Sequence, residues 1–481
     1  MRPGDLGMAS LDTQLNQALA QLDADFSHHV AEVQRFVRQP SVSATGEGIP
    51  EMAQLVRNKI ASLGADCCLI HTGRHPIVYG RLDAGAPKTI VFYELYDVQP
   101  ATEAGWLVPP FSANIVELPG YGSSIVGRGT FNSKGPLVAF LNCIDAIQKS
   151  GNRLPVNVIF LVEGEEEVGS PSLPAFVQSR REELRRADCV FQPYFGENAA
   201  GTTIVYLGFK GIVSLELTCA GGDWGGPVTR DIHAMHSAWI ASPAWRLVQA
   251  LSTMKSQRDD EETTTISGFT RGLRPPTAEE SALLNALTTS FDEQVVLQEQ
   301  GEARRFKWPG LAGVALLEKY LYEPSLNLNG LAAGYSGAGA VIPMQAKARL
   351  DIRLVPDMEP DHVIDTVRAH LQAHGYGDIR VDVLQSYPPS QSSLSQPPVA
   401  ALVRAIQRHA SGPVQVWPRS AGVAPHYLFT RELGIPLAFG GLGHGGRSHS
   451  ANEYITVEGL RRHERGIMAF LYELASTSEK E

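Results

Sequence analysis

Four carboxylates stand within five residues at Glu163, Glu165, Glu166 and Glu167, and this acidic stretch is where the sequence could do chemistry. It follows the apolar run 156–162, which predicts a buried parallel strand. In open α/β sheets, ligands bind beyond the carboxyl ends of the strands. Packed like charges repel, so burial raises the pKa of such carboxylates unless a cation or hydrogen bonds compensate. The acidic stretch is therefore either a solvated loop or a site that handles protons or a metal.

Length and composition predict a globular protein of two or three domains. The chain has 481 residues, of which 43% are hydrophobic and 19% charged, so it is too long for a single core. The net charge is −10 without a basic block, which argues against a nucleic-acid partner. The five cysteines include no CxxC pair and are expected to be reduced core residues. Without an apolar leader or a long apolar run, we expect a cytoplasmic protein with no membrane partner.

Hydrophobic periodicity predicts alternating helices and strands before residue 207. Ser133 is the expected N-cap of one helix, with Pro136 in its first turn. Asp97 lies in the segment 94–100, which leaves the carboxyl end of a predicted strand. The predicted helices are 12–38, 50–63, the one after Ser133 and one through Arg186, and the predicted strands are 66–71, 77–81, 89–93, 156–162 and 188–192.

The pattern changes near residue 208, where a strand with one wet face begins. The Ser/Pro/Gln-rich segment 386–398 predicts a hinge, after which α/β periodicity returns. The predicted domains are therefore 1–207, 208–394 and 395–481, the first and last forming one domain. The later elements are strands 211–219, 347–355, 379–384 and 435–439, helices 241–254, 399–409, 457–475 and one from 360, and a loop at 256–280.

The motifs along the chain, in this order, resemble those of the co-catalytic zinc metallopeptidases that include carnosine dipeptidase, acetylornithine and succinyl-diaminopimelate deacetylases and carboxypeptidase G. The resemblance implies an α/β class, with a zinc-peptidase-like α/β catalytic domain and an inserted α+β lid domain that mediates a homodimer. It covers nearly the whole chain. The motifs are RFVRQPSVS, YELYDVQP, GRGTFNSKGP, EGEEEVGS, GFKGI, RDIHAMHSA, DIRLVPDM, PRSAGVAP and HSANEYI.

The same resemblance implies roles for particular residues. The family's general base falls on Glu166, a metal ligand on Glu167 and the last metal histidine on His449. The lid histidine falls on His233, and the arginine that grips a substrate carboxylate falls on Arg353.

The family's remaining metal ligands are replaced in this sequence. The first metal histidine falls on Leu95, which has no donor atom, and the bridging aspartate falls on Asn132, a neutral amide. A second-site aspartate falls at or near Tyr194. A catalytic zinc normally has three good protein ligands. We therefore expect no catalytic metal, or at most one zinc held by Glu167 and His449.

Three functions remain open at the level of sequence. The first is an enzyme acting without a metal on a small amino-acid-like or dipeptide-like substrate, with Glu166 as general base or acid and Asn132 and Tyr194 as hydrogen-bond donors. Arg353, Lys210 and Asn452 would bind that substrate and its carboxylate.

The second function is a one-metal amidohydrolase that uses Glu167 and His449. The third is a non-catalytic binding or regulatory relative that keeps the fold.

Other residues have structural interpretations. Asp97 is assigned either a turn role or a new acid/base role. His426 and His444 could replace a missing metal ligand, but the favoured interpretation of each is a surface histidine or one that supports the site without contacting a metal. Arg128 and Lys134 are expected to pair with carboxylates of the site and to lower the pKa values of those carboxylates. The tryptophans Trp239, Trp245 and Trp417 are expected to pack against other protein groups rather than to stack on a substrate.

Overall fold

The computed structural model describes residues 3–258, 261–299, 303–334 and 339–477. Its helices are α1 (Pro3–Arg38), α2 (Ile49–Ser62), α3 (Lys134–Lys149), α4 (Leu173–Ser179), α5 (Arg181–Leu184), α6 (Pro243–Ser252), α7 (Ala278–Leu287), α8 (Glu293–Glu299), α9 (Gly313–Tyr322), α10 (Pro360–Ala373), α11 (Pro397–His409) and α12 (Val457–Ala475). Short 3₁₀ turns lie at Glu166–Val168 and Ala234–Ala238.

The strands are, in chain order, β1 (Asp66–Ile70), β2 (Ile77–Leu82), β3 (Thr89–Leu95), β4 (Asn114–Leu118), β5 (Gly122–Val126), β6 (Asn157–Glu163), β7 (Cys189–Pro193), β8 (Thr203–Tyr206), β9 (Gly208–Ala220), β10 (Ile232–His233), β11 (Lys255–Arg258), β12 (Glu261–Thr264), β13 (Ser325–Ala333), β14 (Val341–Ile342), β15 (Gln345–Leu354), β16 (Arg380–Tyr387), β17 (Ser390–Gln391), β18 (Val414–Trp417), β19 (Ser420–Val423), β20 (Leu437–Gly440), β21 (Gly445–Gly446) and β22 (Tyr454–Thr456).

The chain divides into two compact units. The first comprises residues up to Leu207, Gln391–Trp417 and the chain from Leu428 onward; the second comprises Gly208–Ser390 and Pro418–Tyr427. The sequence-based boundaries stay a prediction of domains. The segment Pro418–Tyr427, predicted as part of the catalytic domain, belongs to the second unit, where β19 pairs with β9.

The first unit is built on a six-stranded sheet in the order β1-β2-β6-β3-β7-β20. The pairs β6–β3, β3–β7 and β7–β20 are parallel, whereas β1 and β2 add antiparallel strands at one edge. Every residue of β6 is buried, as the continuous apolar run predicts. Helices α1, α3 and α12 pack on one another over this core, where the rings of Phe92 and Phe140 stack with centroids 3.8 Å apart.

The second unit is an α+β structure with its own core. Its main sheet runs β13-β15-β9-β16 with antiparallel neighbours, and α6 and α10 pack against it. The core alternates along β9, where Val213, Leu215, Leu217 and Cys219 are fully buried. An inserted α+β unit of this kind agrees with the predicted fold class.

Two predictions of local structure are wrong, and a third is correct only in part. The predicted loop 256–280 contains the hairpin β11–β12 and the start of α7, because its polar, β-branched residues pair with each other rather than with a core. The predicted helix through Arg186 is two short helices, α4 and α5. Ser133 is the N-cap residue of α3, as predicted, but its hydroxyl donates to the Leu95 carbonyl at 2.9 Å and makes no capping hydrogen bond.

All five cysteines are free, as predicted, and four of them are buried, but Cys68 is exposed, so the prediction of a core position is wrong for Cys68. Within the described ranges, every helix is too short or too polar to cross a lipid bilayer.

Candidate functional site

Three parallel strands of the first unit end at one edge of its sheet and carry the predicted site residues. Leu95 at the end of β3 lies opposite Glu163 at the end of β6. The neighbouring strand β7 leads directly into Tyr194. This edge is the usual ligand-binding edge of an α/β sheet. Asp97, the acidic stretch and Tyr194 therefore follow strands that end at the same edge.

Glu167, Asn132 and His449 form one hydrogen-bonded group. The Asn132 Nδ2 donates to Glu167 Oε1 at 2.8 Å and lies 3.0 Å from His449 Nε2. His449 Nε2 lies 3.0 Å from the same Glu167 oxygen, and this contact raises the pKa of His449. The second Glu167 oxygen accepts from Gln99 Nε2 at 2.8 Å. The polar groups of these side chains therefore satisfy one another's hydrogen-bonding capacity.

Asp97 is a fully buried carboxylate that holds the acidic stretch in place. Its oxygens accept from the backbone N–H groups of Glu166 and Glu167, at 3.3 and 3.0 Å. Burial raises the pKa of Asp97 to about 7, and the charge of Glu167 acts in the same direction. These contacts favour the turn role over the acid/base role among the two alternatives for this residue.

Two of the four glutamates have structural roles, because their carboxylates accept hydrogen bonds from nearby side chains and backbone N–H groups. Glu163 Oε1 accepts from the Tyr93 hydroxyl at 2.6 Å and from Ser170 Oγ at 2.9 Å, and burial raises its pKa to about 8. The Glu165 oxygens accept from the backbone N–H groups of His75 and Ser172, at 2.8 and 3.1 Å. Both side chains are almost completely buried.

Glu166 differs from the other three glutamates. Its carboxylate makes no hydrogen bond or ion pair with any side chain or backbone group in the described part of the chain, and the residue is half-buried. Burial raises the pKa of Glu166 well above its usual range, and the charges of Glu167, Asp97, Glu163 and Glu94 add to this effect. Glu166 is the acidic group of the stretch that remains available to a substrate.

Glu453 is a site residue that the sequence reasoning missed. It is fully buried, and its Oε1 accepts from the backbone N–H groups of Phe131 and Asn132, at 3.0 and 2.8 Å. Its Oε2 pairs with Arg128 Nη1 at 3.0 Å. Glu453 thus positions Asn132. Its place in the motif HSANEYI was the available signal.

The prediction for the two cations is correct for Arg128 and wrong for Lys134. Arg128 pairs with Glu453 and Glu103, and its hydrogen bond and charge act to lower the pKa of Glu453, but burial outweighs them and leaves that pKa raised. Lys134 is fully buried and donates to the Gln39 carbonyl at 2.5 Å. Burial lowers the pKa of Lys134 to about 7, against the opposing charges of Glu453 and Asp97.

The loop that carries His449 has an unusual backbone. Arg447, His449 and Asn452 have φ values of 61°, 58° and 62°, a left-handed conformation that non-glycine residues adopt rarely. Such conformations cluster at functional sites. The Asn452 amide accepts from Leu107 N at 2.6 Å and donates to the Gly105 carbonyl at 2.8 Å, so it ties two loops together. Its substrate-binding role stays a prediction.

Tyr194 and Leu95 show why the edge of the sheet is apolar where the family has ligands. The Tyr194 ring packs on Phe131 and Phe439, with centroids 5.1 and 5.2 Å away, and burial raises its pKa to about 12. The Leu95 side chain is buried. Both ring nitrogens of His444 are bonded, to the Glu197 carbonyl at 2.8 Å and the Tyr454 hydroxyl at 2.9 Å, which confirms its structural role.

The other predicted site residues belong to the second unit. Arg353 forms a bidentate pair with Asp351 on its own strand, at 2.7 and 3.1 Å. Lys210 is buried and donates to the Glu323 carbonyl at 2.8 Å; burial and the nearby charges of Arg419 and Arg353 lower its pKa to about 7. His233 is exposed, and its Nδ1 accepts from Met235 N at 3.0 Å.

Two further side-chain predictions concern the second unit. His426 is buried against Phe209, with ring centroids 4.6 Å apart, in agreement with a structural role. Trp417 is buried in the first unit, in agreement with a packing role. Trp239 and Trp245 are 76% and 69% exposed, and the Trp239 ring stacks on His236 with centroids 5.7 Å apart, so for these two the choice of packing over substrate stacking stays a prediction.

The donor set does not fit the two-zinc centre that the resemblance implies. Of the five positions, only Glu167 and His449 offer good zinc ligands, whereas Leu95 is an alkyl group and Asn132 a neutral amide. Tyr194 presents a phenol whose raised pKa opposes ionisation. Across the described ranges, no three His, Cys, Asp or Glu side chains converge on a point that could hold a metal ion.

Comparisons with known proteins place these features in a family. The profile of the Peptidase family M20/M25/M40 matches residues 92–473. A Cys-Gly metallodipeptidase of Candida albicans is 28% identical over 467 residues, which cover 89% of this chain and 90% of that protein. A Beta-Ala-His dipeptidase of Rattus norvegicus is 26% identical over 382 residues, or 74% of this chain and 73% of that protein. The crystal structure of an M20 family metallo-carboxypeptidase from Sulfolobus solfataricus has a TM-score of 0.83 at 30% identity, covering 93% of this chain and 99% of that chain.

Proposed function

The chain belongs to the peptidase family M20/M25/M40, and we propose that it acts on a small amino-acid-like or dipeptide-like substrate without a catalytic metal, with Glu166 as general base or acid. The names of its relatives, a Cys-Gly metallodipeptidase and a Beta-Ala-His dipeptidase, support the substrate class. Membership of this family does not by itself establish the mechanism, because proteins that share a fold can have different functions.

One observation carries the assignment of Glu166. Glu163, Glu165 and Glu167 each accept hydrogen bonds from protein groups, whereas the Glu166 carboxylate is held only through its own backbone by Asp97. A general base must have a free oxygen to reach the proton that it abstracts. A carboxyl group with a raised pKa suits proton transfer in either direction.

The group formed by Glu167, Asn132 and His449 supports chemistry without a metal. The amide nitrogen of Asn132 stands within 3.0 Å of both other side chains and links them directly. Without a metal to polarise a carbonyl, amide hydrolysis loses several kcal/mol of transition-state stabilisation. Acyl transfer from an activated donor, cyclisation, elimination or isomerisation needs only acid/base groups. Tyr194, with its hydroxyl, would then be the donor to a developing oxyanion.

Two basic side chains of the second unit are the proposed binding groups for a carboxylate of the substrate. Arg353 keeps about a third of its side chain exposed, at 32%, beside its pair with Asp351. Arg353 is close enough to Lys210 that its charge contributes to the lowered pKa of Lys210, after burial and the charge of Arg419. A carboxylate held by both would make charge-assisted hydrogen bonds. His233 would assist in binding, as the resemblance implies.

The test is consumption of a panel of dipeptides that includes Cys-Gly and β-Ala-His, measured with and without a chelator. The products are identified, so that hydrolysis is distinguished from cyclisation and acyl transfer. We expect turnover that survives the chelator and falls roughly 10²–10⁴-fold in Glu166→Gln, the usual contribution of a general base. Glu182→Gln, which removes an exposed carboxylate of the same unit, is the control and should leave kcat unchanged. Equal turnover in Glu166→Gln would refute the base assignment, and no turnover by the intact chain would favour a binding or regulatory role.

One observation favours a second candidate, a one-metal amidohydrolase. Glu167 Oε1 and His449 Nε2 converge to 3.0 Å, so these two side chains would hold a zinc ion if one bound. Such a zinc would supply a Lewis acid to the same substrates. Turnover that is lost with the chelator and restored by zinc would select this candidate. A cytoplasmic location and a homodimer stay predictions.

A further inference from the structure

A cavity of about 520 Å³ opens within the second unit and has no part in the function proposed above. Its walls are the hairpin β11–β12, the segment 307–311 and the segment 323–326. The volume lies in the range of small-molecule sites, about 300–1,000 Å³.

The charged side chains that line the cavity include more lysines than glutamates. Lys255, Lys307 and Lys319 face two carboxylates, Glu262 and Glu323, which leaves one net positive charge. Lys255 and Lys307 share a single oxygen, Glu262 Oε1, which lies 2.9 Å from Lys307 Nζ. Each ammonium has three donors, so this arrangement leaves donors for another anion. The local excess contrasts with the net charge of −10 of the whole chain.

Trp308 brings two of these cations together on an aromatic wall. Lys319 Nζ lies 4.6 Å and Lys307 Nζ 5.2 Å from the Trp308 ring centroid, within the range of cation–π interactions. Phe269 and Leu326, which are almost fully buried, form an apolar wall of the same cavity. The cavity thus combines an apolar surface with a cationic rim.

We propose that this cavity binds a small organic anion with an apolar body. Lys255, Lys307 and Lys319 hold the anionic group, and Trp308 and Phe269 contact the apolar body. Isolated lysine–glutamate pairs on a surface are usually solvated and contribute little. Three lysines that converge on two carboxylates around a concave aromatic site go beyond such pairs.

Calorimetric titration of the full chain with phenyl phosphate and with inorganic phosphate tests this site. We expect one phenyl phosphate per chain, bound at least about tenfold more tightly than inorganic phosphate, which equals about 1.4 kcal/mol. The double variant Lys307→Gln, Lys319→Gln should lose at least about tenfold in affinity. The matched control is Lys347→Gln, Arg349→Gln, which also removes two cations that share one carboxylate, Glu216, and it should bind as the original chain does.

Trp308→Leu keeps every charge and separates the two parts of the site. It should weaken phenyl phosphate and leave inorganic phosphate unchanged. The proposal is overturned if no saturable binding occurs, or if the control variant weakens binding as much as the double variant. Equal affinity for the two phosphates, or a Trp308→Leu variant that binds phenyl phosphate normally, would also overturn it.

Discussion

The identity of Asn132 is central to whether the site can bind metal ions. Its amide nitrogen donates to Glu167 at 2.8 Å and stands 3.0 Å from His449, where the family has a carboxylate that bridges two metals. A carboxylate at this position would repel Glu167 unless cations separated them. The amide of Asn132 instead donates a hydrogen bond to Glu167. Replacing one carboxylate oxygen by an amide nitrogen therefore turns an arrangement that needs a cation into one in which the side chains bond to each other.

Restoring the three replaced ligands should restore a zinc site. We expect the triple variant Leu95→His, Asn132→Asp, Tyr194→Asp to bind at least one zinc per chain, with a Kd of about 1 μM or tighter, which is about −8 kcal/mol. The reason is that Glu167 and His449 already converge to 3.0 Å and would gain charged partners. Zinc titration calorimetry measures this. A folded triple variant that ignores zinc would mean that these positions do not correspond to the family's ligands.

Sequence reasoning identified the reactive residues better than the residues that support them. Glu166, Glu167 and Asn132 follow from the motifs because they replace or keep named ligands. Glu453 was missed because its role depends on burial beside the backbone of Phe131 and Asn132, more than three hundred residues earlier in the chain. Lys134 was misassigned for the same reason: its partner is the carbonyl of Gln39, which only the fold brings near.

At the scale of elements, the start of α7 depends on one buried carboxylate. Glu280 completes a capping box with Thr277 and pairs with Arg274 at 2.6 and 3.1 Å and with the buried Arg419. Burial acts to raise the pKa of Glu280, but the hydrogen bonds from Arg274 and Thr277 and the charge of Arg419 outweigh it and lower the value to about 2. The ionised form is therefore the one that the folded second unit stabilises.

This ion pair predicts an acid-dependent loss of stability. Because the folded pKa lies below the unfolded one, the contribution of Glu280 is complete above about pH 5 and disappears as the pH falls toward 2. Glu280→Gln should cost roughly 3 kcal/mol at neutral pH, at about 1.4 kcal/mol per pKa unit, and nothing near pH 2. Urea unfolding followed by hydrogen exchange in peptides of α7 measures the difference. A difference that stays constant from pH 7 to 3 would contradict this role.

Elements with strong periodicity were predictable, and elements formed by polar residues were not. The final helix α12 agrees with the predicted 457–475, because its apolar face repeats regularly along the first core. The hairpin β11–β12 has the sequence of a polar loop, and its strands pair only with each other. Their pairing depends on tertiary surroundings that local propensity does not contain.

At the scale of the whole molecule, the second unit exposes large apolar side chains. Met235, Trp239 and Trp245 are 72%, 76% and 69% exposed. Trp245 and Val248 lie one turn apart on α6, so they present one face of that helix. Large contiguous apolar patches on a surface mark contacts with another protein. We propose that these side chains lie in the contact surface of the predicted homodimer.

We expect the full chain to sediment at twice its mass of 52.1 kDa. Met235→Lys, Trp245→Lys should sediment as a monomer, because each buried tryptophan contributes up to roughly 4 kcal/mol to association. The control is Leu107→Lys, which changes an equally exposed apolar residue, 62% exposed, in the first unit. A monomeric native chain, or dissociation by Leu107→Lys alone, would contradict the assignment of this surface.

The zinc content of the native chain tests the central claim most directly. After dialysis against zinc and removal of free metal, we expect no zinc bound to the native protein. Under the same conditions we expect zinc to be retained by the triple variant Leu95→His, Asn132→Asp, Tyr194→Asp. Elemental analysis of both proteins gives the ratio per chain. One or two zinc ions firmly bound to the native chain would contradict the claim and indicate a metal-dependent peptidase.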